Sequence, residues 1–120
     1  MKAILRNFAW CEDYSDRSFI GRFHEECIWD DAEYFRLEDA LYALCEKTGG
    51  DPTLEREIAW PIFRIYSYLM FSMGCVQDTR DVFALDNVTG EQFHARKERL
   101  QLVFEGFFNG NMISKDHLDY

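Results

Sequence analysis

The chain has 120 residues, of which 48% are hydrophobic and 17% aromatic, so it is long and apolar enough to bury one real core and disorder is excluded. A formal net charge of −9 argues against the clustered Lys/Arg footprint that phosphate contacts need, and points to basic partners rather than direct nucleic-acid binding. Cys11, Cys27, Cys45 and Cys75 form no C-x-x-C pair and no zinc-finger spacing, and the N-terminus turns acidic too early for a signal peptide. They therefore read as buried free thiols in a reducing cytoplasm.

In chain order, residues 1–28 are the least patterned, although Phe19, Ile20, Phe23 and Cys27 can share one face of a helix ending near Trp29. Residues 31–47, "DAEYFRLEDALYALCEK", make the clearest helix, capped by Asp30 or Asp31 and stopped by "TGG". Asp51 and Pro52 then read as N-cap and first residue of a second helix, and Pro61 as a kink or a fresh start. The continuation "PIFRIYSYLMFSMGC" is apolar nearly all round, which predicts a central helix covered on most sides. A transmembrane reading of residues 58–76 is set aside, because Pro61, Arg64, Ser67 and Ser72 dilute the run and its flanks lack basic anchors.

"VFALDN" at 82–87 reads as a short strand or extended connector, and "TGEQ", Thr89 to Gln92, as a capping box. That box opens a helix over 90–108 with Phe93, Leu100, Val103, Phe104 and Phe107 at helical spacing, Gly110 as its stop, and a frayed polar tail. Nothing resembles a linker. The expectation is one mainly α, compact helical domain over residues 1–120, with a short extended segment or hairpin near residues 76–88.

The stretch "HEECIWDDAEYFRLED", residues 24–39, concentrates seven carboxylates with one His and one Cys. His24, Glu25, Glu26 and Cys27 match no ligand spacing, since a zinc-protease helix needs a second His where Ile28 stands, and adjacent helical residues point apart. His24, His94 and His117 lie in no thiol-enzyme signature, and there is no P-loop, dinucleotide glycine motif or G-x-S-x-G elbow. The sequence thus implies no cofactor and no metal, and the many carboxylates occupy a wet face rather than the apolar pocket that acid–base catalysis requires. A binding protein is expected, not an enzyme.

On a helical wheel, Tyr34, Leu37, Leu41, Leu44 and Cys45 form the core stripe of residues 31–47. Asp31, Phe35, Glu38, Asp39, Tyr42 and Glu46 fall on a neighbouring side, spaced i, i+4, i+7, i+8, i+11 and i+15. Either Phe35 and Tyr42 widen the buried stripe while the acids are solvated, or the set is a partner-binding face that Glu25, Glu26 and Asp30 extend. Charge reversal at Glu38 and Asp39 would then weaken binding without touching the fold. The basic run "HARKER", 94–99, either opposes this face within the molecule or is solvated. In "FEGFF", 104–108, Gly106 breaks the helix and either permits close packing or exposes Phe107 and Phe108.

Four blocks, "SFIGRFHEE" (18–26), "EYFRLEDALYALC" (33–45), "WPIFRIYSYLMFS" (60–72) and "RLQLVFEGFFNG" (99–110), together resemble small bacterial immunity proteins encoded beside polymorphic toxins, including those of contact-dependent growth inhibition systems. The resemblance implies that the chain binds and neutralises a cognate toxin C-terminal domain in the cytosol, often a nuclease with a basic active site, and it brings no catalytic residues. The rival reading is an acidic nucleic-acid mimic or regulatory module for basic proteins.

Overall fold

A computed structural model describes residues 1–77, of which Gln77 by its backbone only, and 84–118. It contains α1 (Lys2–Leu5), α2 (Phe19–Glu26), α3 (Asp31–Thr48), α4 (Arg56–Gln77) and α5 (Gly90–Asn109), followed by a single 3-10 turn at Lys115–His117. Among the described residues there is no strand, so the expectation of a mainly α domain holds. Of the extended segment or hairpin expected near 76–88, residues 76 and 77 belong to α4, residues 84–88 are irregular, and the rest lies outside the described residues.

Local chemistry sets the helix ends. Ser18 caps α2 by accepting from the Gly21 N–H at 3.0 Å, and Asp30 caps α3 by accepting from the Glu33 N–H at 3.1 Å. At α5 both halves of the capping box form: the Gln92 N–H donates to Thr89 Oγ1 at 3.2 Å and the Thr89 N–H to Gln92 Oε1 at 2.9 Å. Gly110 ends α5 in the left-handed region, at φ 79°. The α2 helix stops at Glu26, short of Trp29, because Cys27 itself turns left-handed at φ 55°.

Two expectations fail in this half of the fold. The second long helix begins at Arg56, not at Pro52; residues 51–53 form a bend, and the first turn is closed by the Ile58 and Ala59 N–H groups donating to the Glu55 carbonyl. It then runs through Pro61 without interruption, since Pro61 sits near the start, where only the Glu57 carbonyl loses its intrahelical donor. Likewise α5 continues through Gly106. That glycine makes room for the returning chain: a Cβ there would stand 3.1 Å from the Asn111 carbonyl oxygen.

Helix α3 is central and packs against α1, α2 and α5. Its Tyr34, Leu37, Leu41 and Cys45 are buried as the wheel requires, with Leu44 half-buried at the margin. Phe19, Phe23 and Trp29 close one side of this stripe, with Phe19 edge-on to Tyr34 at 5.4 Å, while Leu100, Val103, Phe104 and Phe107 of α5 close another. The α4 helix adds Ile62, Ile65, Leu69 and Met73, and Tyr66 stacks on Phe104 at 5.2 Å. Gly21 is required by close approach, since a Cβ would lie 2.5 Å from the Asp16 backbone.

Candidate functional site: an aromatic ridge on the fourth helix

The acidic face of α3 is largely closed by its own chain. Glu38 is fully buried and holds Arg99 of α5 through a fork, Nε to Oε2 at 3.1 Å and Nη2 to Oε1 at 3.0 Å. Burial by itself would lower the Arg99 pKa, yet the hydrogen bonds and charge of Glu38 outweigh it and the net shift is upward. Glu38 therefore cannot touch a partner, and its expected place in a binding face is corrected: it is an internal ion pair. Phe35 lies half-buried under the Arg99 guanidinium at 4.9 Å.

The remaining members divide. Asp31 pairs with Arg96 at 3.3 Å, and Asp39 pairs with Lys115, whose Nζ also lies 4.7 Å from the Tyr42 ring centroid. Tyr42 is half-buried and donates to the Ile113 carbonyl at 2.6 Å. Asp30 caps α3 and, with Glu26, holds Arg22. Glu25 and Glu46 are exposed, as are Glu26, Asp31 and Asp39. "HARKER" opposes this face within the molecule, through Arg96 and Arg99, and the tail expected to fray supplies Lys115 and Ile113. Phe35 and Tyr42 are thus both half-buried and packed against the core.

A different face is open. Trp10 is 63% exposed, Trp60 48%, Phe63 53%, Phe71 74% and Phe108 39%. Trp60, Arg64, Ser67 and Phe71 follow one another at i, i+4, i+7 and i+11, so they share the outward side of α4 while Ile62, Ile65, Leu69 and Met73 face the core. Trp10 stacks on Trp60 at 5.8 Å with 25° between the planes, and Phe8, buried, meets both rings edge-on. Phe108 joins Trp60, Phe63, Ala59 and Arg56 around a shallow hollow. Coverage of α4 on most sides was expected, and most of residues 61–76 are buried or half-buried, but the exposed rings show that one side stays open. Arg64 and Ser67 were the available signal, because two polar residues on one side of an apolar helix mark the side that faces water.

Beside this ridge a pocket of about 200 Å³ opens between the N-terminal loop, α2 and α4, lined among others by Tyr14, His24, Arg64 and Tyr68. His24 Nδ1 bonds the Tyr68 hydroxyl. Burial, and after it the charge of nearby carboxylates, raises the Tyr14 pKa, through Glu25 and Asp16, and the Tyr66 pKa, through Glu105. Burial is also the largest cause of the upward shifts of Tyr42 and Tyr68. A phenol whose folded pKa lies above its unfolded value of about 10 favours folding below that unfolded value, and the contribution is lost as pH rises from there through the folded pKa. Stability is therefore expected to fall above about pH 10, with the four phenols ionising above free tyrosine. Absorbance at 295 nm followed alongside circular dichroism checks this, and ionisation at the free-tyrosine value with the fold intact would refute it.

The family model described as immunity protein 41 matches residues 6–118, nearly the whole chain. The chain belongs to the immunity protein 41 family. No curated protein and no solved structure matches it. Membership makes the chain an immunity protein, a family that implies an inhibitor acting on a toxin partner, and the four sequence blocks that resembled such proteins all lie within the matched span. Among the described residues, no helix of this immunity protein is long and apolar enough to cross a membrane.

Proposed function

We propose that this immunity protein neutralises a cognate toxin C-terminal domain by holding it stoichiometrically on the aromatic ridge of α4, with the exposed acids Glu25, Glu26, Asp31, Asp39 and Glu46 steering a basic partner toward it. The observation that carries the reading is the row Trp60, Phe63 and Phe71, extended by Trp10 and Phe108, standing in water on a family member whose role requires a protein partner. Monomeric proteins seldom leave so many large rings together in solvent, and Trp and Phe supply contact area at low entropic loss. A net charge of −9 fits a basic target, and a nuclease, whose active site must hold phosphates, is the class it suits best.

Co-expression with the toxin domain encoded beside it, followed by affinity capture, tests the reading. A one-to-one complex is expected whose association slows as salt rises, because the acids act at a distance while the rings act in contact. Failure of the two chains to associate at low salt would refute it, and equal capture of unrelated basic proteins would favour a general mimic instead.

A further inference from the structure

We propose that the pocket beside the ridge is a receptor for one carboxylate side chain of the toxin domain, gripped by Arg64. The inference rests on the toxin-binding reading and adds the chemistry of a single anchor contact.

Arg64 is set apart from the other arginines. Of the five described arginines that are buried or half-buried, Arg6 pairs with Glu33, Arg22 with Glu26 and Asp30, Arg96 with Asp31 and Arg99 with Glu38. Arg64 has no carboxylate within ion-pair distance among the described residues. Its guanidinium instead lies 4.5 Å over the Trp10 ring and 5.8 Å from the Tyr68 ring centroid. A guanidinium centred over an indole is held in place by that contact, and arginine can receive a carboxylate through two parallel hydrogen bonds from its N–H groups.

The surroundings complete the site. At about 200 Å³ the pocket exceeds the ~30 Å³ that one water occupies several-fold, so a side-chain carboxylate enters easily. Phe8, Ala9, Ile20 and Ile65 line the apolar part, and His24 and the phenols of Tyr14 and Tyr68 are polar groups on the same wall. Asn7 is already engaged, its Nδ2 donating to the Ala3 carbonyl at 3.1 Å and its Oδ1 accepting from the Ile20 N–H at 3.0 Å. Glu25 sits near enough to act on Tyr14 and Tyr68 but not within ion-pair distance of Arg64, so it leaves the guanidinium unneutralised. A phosphate group is the poorer occupant, because a nucleic acid would meet the charge of the whole protein.

An acidic anchor in a mainly basic partner would give specificity that steering cannot. Any basic domain is drawn to this protein, but only one presenting an Asp or Glu at the right place satisfies Arg64, and the others leave it desolvated and unpaired.

The test measures affinity of the wild type, Arg64→Met and Arg64→Lys for the toxin domain, with circular dichroism to show that each folds. Arg64→Met should weaken binding about 10- to 100-fold and Arg64→Lys by less, and neutralising one toxin carboxylate should add nothing further in the Arg64→Met background. If the wild type binds and Arg64→Met binds equally well, or no toxin carboxylate couples to it, the anchor is overturned while the toxin-binding reading stands. Should the wild type not bind, that reading falls, and the pocket is judged with a doubly blocked aspartate by ¹⁵N NMR of the arginine side chains. A shift of the Arg64 signal with blocked aspartate and none with blocked asparagine supports the receptor, and equal responses or none overturn it.

Discussion

Glu38→Ala should destabilise this protein by about 3–5 kcal/mol, the largest stability effect expected of any exchange on the acidic face. The carboxylate is fully buried and its partner Arg99 nearly so, and Arg99 is also stacked above Phe35. Removing Glu38 leaves a guanidinium in the interior without the carboxylate that its fork grips, and that loss of charge compensation, more than the lost attraction, sets the size of the effect. Against a total stability of roughly 5–15 kcal/mol for a domain of this kind, the melting temperature should drop by on the order of 10 °C or more. Thermal and urea unfolding measure it, with Asp39→Ala next door, an exposed surface site, expected within about 0.5 kcal/mol of wild type. The double exchange Glu38→Leu with Arg99→Leu should recover much of the loss. A single-exchange loss below about 1 kcal/mol would show that the pair does not hold α5 to α3.

The largest effect on binding is expected at the ridge. Trp60→Ala should weaken toxin binding by at least about 2 kcal/mol, roughly 30-fold, since aromatic anchors dominate protein interfaces. Trp60 also supports Trp10 and Phe8, so part of its effect could come from local repacking. Phe71→Ser removes that ambiguity: at 74% exposure its ring adds little to folding, and stability should stay within about 0.5 kcal/mol while affinity falls. Calorimetric titration alongside unfolding curves separates the two. Wild-type affinity in both variants would move the interface off α4, and charge reversal at Asp39 and Glu46 would then ask whether the exposed acids of α3 carry it.

These two variants also show how far the sequence could be read. Helix positions followed from local rules: the Asp30 cap, the Thr89–Gln92 box and the Gly110 stop act within a few residues of themselves, and each formed. The apolar inward stripes of α3 and α5 also followed, because one wheel orders one helix against its own core, whereas the burial of Glu38 and Arg99 did not. The start of α4 did not. Pro52 is acceptable as a first helical residue, but nothing local obliges a helix to begin there, and the chain bends at 51–53 instead.

The sequence by itself determined that this is a helical, ring-rich, acidic domain with an inward stripe on α3 and on α5, and its four familiar blocks pointed to the immunity proteins. Only the tertiary structure decided which side chains are left open to solvent. Glu38 and Asp39 are neighbours with the same chemistry, yet α5 lies over the first and leaves the second in water; Phe35 and Phe71 are the same residue, yet one is covered by Arg99 and the other by nothing described. The physical reason is that a wheel fixes directions within one helix, whereas exposure depends on which other helix stands in that direction, and that is set by contacts far apart in the chain.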